Sequence, residues 1–560
     1  MPQKSIFIKY PLLTVPHSFL SNGLIRTDDL NIRKLYQNAQ AFLNAPSVWE
    51  GLFRLAALLS DHPLTEPVTG LITAALTETE DGAFIGCIEE QIAVARAGMA
   101  LFEYNTDRKI LKRIASWCRY LEIEWDQLFA AGKTLFIPAD LMELLVNYYK
   151  VSGIKSVLRL CTKLRSAAFD WTTALHTIQQ VIPLESTEEE QISFIDRIGI
   201  NELDYDQKQI LLNHAETLAD GIRYTLYSGI FSGNRQDLTA GKTAWKILQK
   251  HYRAICGGTT AGPFLSGSAS NAEIGTAALA AWTEAFASQL LLSGSEWAAD
   301  EMIRIVFNGL SYCLHSDKLP EYQMVNCIGQ SMGQNNTAKL YAKVSRAAAA
   351  AFRGGITVTE NGIMINYLMP ARYLTMIRKE AVILYSDGGT IRFGGKKEKA
   401  IIVDLFRART ETADLSVHRG DEEARTIPVQ TENSRSGQYI RLEDVNFATD
   451  SIHFEQNKKI YCENTHHQGI CWFVRNRLMV YESDEQNYHV AVEKEPEAEE
   501  KEVNVTLFNI DGWHLQQNEP EDIPVLPSHC SEAKTVRLVP YDQSSTKVSM
   551  FPRINPLCLK

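Results

Sequence analysis

The chain has 560 residues, 45% hydrophobic and 22% charged, with a formal net charge of −11. That length allows two or three domains, or one large domain with appendages, with self-supporting cores, and the acidic balance disfavours nucleic acid as the main partner, because phosphate binding needs a basic surface. The opening segment "MPQKSIFIKYPLLTVPHSFL" breaks its short apolar stretch with Lys9, Pro11, Pro16 and His17, unlike a secretion signal. No run approaches the ~18 apolar residues of a membrane span. The ten cysteines are scattered, with no Cys-x-x-Cys pair. Reduced, mostly buried thiols in a cytoplasmic protein are therefore expected, with no membrane partner.

Taken in chain order, the first 353 residues read as helix after helix. Around "EYNTDRKILKRIASWCRYL", from Leu101 to Leu121, apolar residues recur at helical spacing. Further units start at Leu141, Leu218 and Ala281. Each is an apolar helix, a short turn, then an amphipathic helix. The turns "KVSGIKS", "IFSGNRQ" and "LLSGSEW" place a glycine past the helix end, where a left-handed cap is needed, and Ser or Asn ahead of the next helix. A recurring hairpin of this kind predicts a helical repeat or toroid. The unit spacing, roughly 40 to 80 residues, is too irregular for an open solenoid. Between two units lies "CGGTTAGPFLSGSASNAEIGTAALAAW", Cys256–Trp282, a small-residue loop that runs into an alanine-rich helix with Glu273 at its start. From residue 354 the pattern changes to short β-branched and aromatic runs, among them "GITVTENGIMINYLM", "EAVILYSDGGTIRFGG", "KAIIVDLFRA", "ICWFVRNRLMVYES" and "KEVNVTLFNID". Turns such as "ENG" and "DGG" separate them, which predicts β-sandwich material. The acidic run Val492–Glu502 is expected to be a solvated loop.

This order, together with specific segments, resembles the six-hairpin glycosidases and in particular the β-L-arabinofuranosidases of glycoside hydrolase family 127. "SVWEGLFRLAALLSD" resembles that family's Trp-Glu segment. "DLMELLVNYYKVSG" resembles its Gly-Met-Asn-Glu helix, with Glu143 at the Glu. "LLNHAETLADGIRYTLYSG" resembles its Leu-His-Ala-Asn-Thr helix, with His214 at the His. "NAEIGTAALAAW" resembles its Ala-Glu-Thr-Cys helix, with Glu273 at the Glu. "NGIMINYLMPAR", "QGICWFVRNRLMVYES" and "VRLVPYDQ" resemble successive sandwich strands. The likeness implies an α+β multidomain chain: an (α/α)6-type toroid over residues 1–353, then a β-sandwich region over 354–560, as one sandwich or two.

The same likeness implies a zinc-bound cysteine nucleophile, with zinc held by a Glu, the Cys two residues later and an adjacent Cys pair before Pro-Pro-Asn. A second Glu in the Gly-rich loop would be the acid/base. This sequence departs from that set. Glu273 is followed two residues later by Gly275, the Cys-Cys-Pro-Pro-Asn segment aligns with "MGQNN", Met332–Asn336, and "GGTTAGPFLSG" has no Glu. Cys327 lies a few residues upstream, where a loop shift could bring it toward Glu273, with Cys313, His315 and Glu321 nearby, but the spacing is no zinc signature. No metal and no cofactor are expected.

Glycoside hydrolysis then needs two carboxyl groups flanking the bond. Catalytic candidates are Glu273, Asp140 and Glu143, with Asp140 and Glu143 at i and i+3 on one helix face. Glu216 and Asp220 form a second cluster beside His214. Substrate-binding candidates are His214, Trp49, Glu50, Glu216 and Asn336, and Tyr224 and Trp282 are further aromatic candidates, Trp282 more in keeping with a core. The expected function is hydrolysis of a small glycoside by paired carboxylates. The alternatives are a lyase, isomerase or secondary-metabolism enzyme on the same scaffold, or an inactive sugar-binding relative.

Overall fold

The computed structural model describes residues 25–59, 62–77, 82–129, 138–178, 212–261, 264–265, 273–324 and 337–358, and beyond them strands and short turns as far as residue 552. Asn336, Cys327, the 266–272 part of the small-residue loop and most of the acidic run at 492–502 lie outside the described residues.

Helices dominate the first part. They are α1 (Leu30–Ala39), α2 (Pro46–Leu58), α3 (His62–Thr77), α4 (Ile88–Asn105), α5 (Arg108–Ile123), α6 (Trp125–Leu128), α7 (Pro138–Ser152), α8 (Ser156–Ala167) and α9 (Trp171–His176). There follow α10 (Ala215–Ser232), α11 (Arg235–His251), α12 (Thr276–Ser293), α13 (Glu296–Arg304), α14 (Leu310–His315) and α15 (Ala338–Gly354). The turns act as their residues require. Gly153, Gly233 and Gly294 have φ of +67°, +71° and +60°, the left-handed conformation that ends a helix. Asn234 then caps α11 by accepting from Gln236 N–H at 3.0 Å.

The packing of these helices is cyclic. α2 packs on α4, α4 on α7, α7 on α10, α10 on α12, α12 on α15, and α15 returns to α2. The other helices lie against this set, with α3 on α2 and α4, α5 on α4, α8 on α7, α11 on α10 and α13 on α12. The sequences explain the division. α5 buries one stripe, Ile110, Ile114, Trp117, Cys118 and Leu121, as a helix with one wet face does. α12 buries nearly every residue from Thr276 to Leu292, as a helix covered on all sides must. Small residues permit close crossings. A Cβ on Gly51 of α2 would lie 2.6 Å from Cβ of Ser345 on α15.

After α15 the described residues form strands. One sheet runs β1 (Ile25–Arg26), β6 (Ala371–Ile377), β7 (Glu380–Ser386), β8 (Thr390–Gly394), β13 (Asp450–Glu455), β10 (Asp414–Arg419), β11 (Arg425–Ile427). A second runs β12 (Gln438–Asn446), β9 (Ala400–Arg407), β5 (Gly362–Ile365), β4 (Ile356–Val358), with β5 and β9 parallel. A third runs β14 (Tyr461–Asn464), β15 (Gly469–Val474), β16 (Arg477–Tyr481), β20 (Cys530–Pro540), β19 (Glu502–Ile510), β17 (His489–Ala491). Helices and strands are joined by buried polar contacts. Asn308 accepts from Leu478 N–H and donates to the carbonyl of Asn476.

Two features differ from the sequence reading. The strand β1, at the start of the helical part, pairs with β6 far along the chain, Ile25 opposite Tyr373. Glu273 does not begin a helix. It opens a three-residue strand, β2 (Glu273–Gly275), paired with β3 (Tyr322–Met324), and α12 starts only at Thr276. Backbone partners distant in sequence, including Ala261, which donates to the Glu273 carbonyl at 2.7 Å and accepts from Gly275 N–H at 2.6 Å, outweigh the local helical pattern.

Candidate active site

The six cyclically packed helices each send charged side chains into one hydrogen-bonded network, all but Glu103 from N-terminal or middle turns. α2 supplies Glu50 and Arg54, α4 supplies Arg96 and Glu103, and α7 supplies Asp140 and Glu143. α10 supplies Asp220 and Arg223, α12 supplies Glu284, and α15 supplies Arg346. Arg54 bridges Glu50 (3.0 Å) and Glu103 (2.8 Å). Arg96 reaches Glu50 (2.7 Å), Asp140 (2.7 Å) and Glu143 (3.3 Å). Arg223 uses Nη1 for Glu143 (3.0 Å) and Glu284 (2.8 Å), and Nη2 for Asp140 (2.5 Å) and Asp220 (2.8 Å). Arg346 holds Glu284 at 2.8 Å, and Tyr227 donates to Glu143 at 3.2 Å. Carboxylates near helix N-termini also face the positive end of the helix dipole.

The network is graded in exposure. Arg223 is the most enclosed, its side chain 3% exposed, whereas Asp140 keeps 26% and Asp220 37% of their side-chain surface open to solvent. Asp140, Asp220 and Glu143 are thus the carboxylates open to solvent, whereas Glu50, Glu103 and Glu284 are enclosed with the guanidiniums. Their protonation differs. Burial alone would raise Glu50 and Asp140, but Arg96 and the other guanidiniums beside each hold both carboxyls far below the usual range. Asp220 goes the other way. Burial lifts it to about 6, Arg223 opposes, and the nearby Asp140 and Glu284 charges push upward again.

The remaining candidates fall at defined places. Glu216, in the first turn of α10, contacts Lys343 of α15. Burial, and then Arg346, lower the Lys343 ammonium to about 8. His214 is the N-cap of α10: its Nδ1 accepts from Thr217 N–H at 3.3 Å, and its ring meets Phe264 edge-on at 5.4 Å. Burial, with Lys343 and Lys339 nearby, lowers it to about 3. The ring is neutral at physiological pH, and with Nδ1 accepting, its proton sits on Nε2 as a donor. The segment at Phe264 bridges to His214, and Ala261 of the same loop bridges to Ile274. Glu273 and His214 thus lie on opposite sides of one loop laid over the starts of α10 and α12. At the head of that loop Gly257 and Gly258 take φ of +98° and +75°, open to glycine at little cost.

Other residues serve packing. Trp49 is buried and donates its indole N–H to the Leu43 carbonyl at 2.7 Å, so it offers no stacking face. Tyr224 is buried, and Trp282 lies in a cluster with Trp245 and Phe286, its indole N–H on Thr259. Glu50 is buried behind the network as the link between Arg54 and Arg96. The sequence reading passed over Arg54, Arg96, Arg223, Arg346, Lys343, Glu103 and Glu284.

The zinc–thiolate set does not fit the described residues. Gly275 has no side chain to offer, and the nearby Cys313 is buried against Thr276 and Gln323. Among the described residues no group of three or more His, Cys, Asp or Glu is arranged to hold a metal ion, and no helix among them is long and apolar enough to cross a membrane.

The fold is that of glycoside hydrolases. A solved structure described as a glycoside hydrolase superposes with a TM-score of 0.70 at 12% identity, over 95% of this chain and 97% of that one. More particularly, the fold is shared with family 127 enzymes. A β-L-arabinofuranosidase of that family from Geobacillus stearothermophilus T6 gives a TM-score of 0.64 at 14% identity, over 93% of this chain and 94% of its own. A second family 127 β-arabinofuranosidase gives 0.62 at 12%, over 94% and 92%. No family model and no curated protein sequence matches the chain.

Proposed function

We propose that the protein is a carbohydrate-active enzyme, a hydrolase of small glycosides. The reading includes an (α/α)6 toroid up to about residue 353 and β-sandwich material after it. The cyclic packing of six helices and the likeness to glycoside hydrolase structures support that architecture. One observation carries the activity. Asp140 and Asp220 meet at a single nitrogen of Arg223, in the solvent-reached part of the network, and their environments drive their protonation apart. Two carboxyl groups so placed divide into an acid and an ionised partner. Asp220 donates a proton to the leaving oxygen, and Asp140 stays ionised beneath the sugar, where positive charge develops. Glu273 and the Nε2–H of His214 contact substrate hydroxyls from the loop side, and Glu143 and Glu216 accept from others.

The test is a panel of aryl furanosides and pyranosides, followed by Asp220→Asn on whichever is turned over. Loss of the acid should lower the rate by ~10²–10⁴-fold, and the wild-type pH profile should fall on its alkaline side above about 6. A panel with no substrate at all would remove the reading. Full activity in Asp220→Asn would remove Asp220 from it.

A further inference from the structure

We propose that the outer face of the first sheet is a binding platform for an acidic saccharide, one whose rings carry carboxylate or sulfate groups. The choice of a saccharide over another anion rests on the glycosidase reading above. The surface itself lies outside the charged network of the helical ring.

The register of that sheet sets one row of residues side by side. Arg26 of β1 stands opposite Arg372 of β6, and Arg372 opposite Tyr385 of β7. Tyr385 stands opposite Arg392 of β8, and Arg392 opposite Ser451 of β13. Directly opposed residues project from the same face. The three arginines are exposed, and Tyr385 keeps 40% of its surface open. Their sequence neighbours Ile25, Ala371, Tyr373, Leu384 and Ile391 are buried, so the row is on the solvent face.

This row departs from what a sheet needs for its own stability. Like charges directly opposite one another destabilise a sheet, yet Arg26 faces Arg372. Among the described residues, no carboxylate pairs with Arg26, Arg372 or Arg392, although the chain as a whole has a formal net charge of −11. A charge protects an edge strand from pairing with another chain. That accounts for Arg26 on β1, but Arg372 and Arg392 are on inner strands.

The ring of Tyr385 forms a shelf between them. The Arg372 guanidinium lies 5.0 Å from the ring centroid, a cation–π contact that steadies the ring. On β8, Gly394 leaves the ground beside the ring bare. A Cβ built there would lie 3.6 Å from Tyr385 Cε2 and 3.7 Å from Ile383 Cβ. These are ordinary contact distances, so a side chain would fit. A glycine in a strand weakens it and has meaning where another group must come close. Neighbouring strands are ~4.8 Å apart, so Arg372 and Arg392 are rooted about 10 Å from each other with Tyr385 between them. A saccharide lying across the strands can rest one ring on Tyr385 and give its anionic groups to the guanidiniums on either side. Planar guanidinium forks bind such oxyanions two oxygens at a time. The sheet meets the helical ring at the far end of α2, where Thr27 N–H donates to the Leu58 carbonyl at 2.8 Å, about one turn past Arg54. The platform thus holds a saccharide at a place separate from Asp140 and Asp220.

The test is isothermal titration calorimetry of the full chain at low salt. Oligogalacturonate, dextran sulfate or both should bind, more weakly as salt rises, and their comparison tells carboxylate from sulfate. Neutral arabinan should bind at least tenfold more weakly than the acidic saccharide, about the worth of one charge-assisted hydrogen bond. Arg372→Gln combined with Arg392→Gln should weaken binding by at least about tenfold. Gly394→Val, which fits its strand and covers the flank of the ring, should also weaken it. Both variants should keep wild-type thermal unfolding and wild-type turnover of the small glycoside found in the panel. Binding of neither acidic saccharide, or unchanged binding in both variants, overturns the proposal. Polyglutamate or single-stranded DNA bound as tightly as the acidic saccharide makes the row a general anion surface and overturns it too. Each of these results leaves the glycosidase reading standing. Saccharide binding lost in the variants, with no glycoside turned over, supports the platform and overturns that reading.

Discussion

Replacing Asp220 by Asn should lower activity sharply and at the same time stabilise the protein. The carboxyl of Asp220 is pushed from 3.8 to about 6, burial first, with Asp140 and Glu284 adding to it. A raised carboxyl binds its proton more tightly in the folded than in the unfolded chain. Stability is therefore fully present below about 4 and falls as pH rises from about 4 to about 6. A shift of about two pH units corresponds to roughly 3 kcal/mol at ~1.4 kcal/mol per unit. Because the side chain is 37% exposed, solvent screening reduces this to about 1 kcal/mol. Asn keeps the shape and can still accept from Arg223, but it carries no charge to repel Asp140. Above pH 7 the variant should unfold at higher urea, gaining about 1 kcal/mol. Below pH 4 the advantage should vanish, because wild-type Asp220 is then neutral too. The measurement is urea denaturation followed by helical circular dichroism at several pH values. A variant less stable than wild type at pH 7.5, or a difference independent of pH, would refute the reasoning.

Arg223→Met removes the group that touches Asp140, Glu143, Asp220 and Glu284. Stranding buried carboxylates should lose ~3–5 kcal/mol at pH 7.5; an unchanged denaturation midpoint would contradict the network. His214, lowered to about 3, should show no imidazole titration between pH 5 and 8 by NMR, and a midpoint near 6.5 would show that it is neither buried nor held as a neutral cap.

The sequence made some of this legible and hid the rest for physical reasons. Glycine turns at Gly153, Gly233 and Gly294 were readable because a left-handed cap is a local demand. The change at residue 354 was readable because strand and helix periods differ. Glu273 was misread because its strand depends on Tyr322–Met324, about fifty residues on, and no local pattern reports such a partner. Asp140 and Glu143 were visible as one helix face, but Asp220 becomes the partner of Asp140 only when α7 and α10 pack. One signal was present and unused. "GLFRLAAL", "AVARAGMALF", "GIRYTLYSGI" and "VSRAAAAAF" each hold a lone arginine, Arg54, Arg96, Arg223 and Arg346, inside an apolar helix. Arginine is almost never fully buried without a partner, so four such helices foretell a shared set of buried carboxylates.

The unequal sharing of those arginines is what divides two chemically identical side chains into different roles. Asp140 has Arg96 and Arg223 in contact and Arg346 within 3.9 Å. Among the described residues, the cation that Asp220 contacts is Arg223, on a nitrogen already occupied by Asp140. The carboxylate with more cations stays ionised, and its charge, added to that of Glu284, keeps the other protonated to higher pH. Such a cluster is weak as a source of stability, because desolvating so many charges offsets most of their attraction. An apolar ring of the same six helices would fold at least as well. What the charges supply is a fixed difference in proton affinity between one acid and one anion held by a single guanidinium.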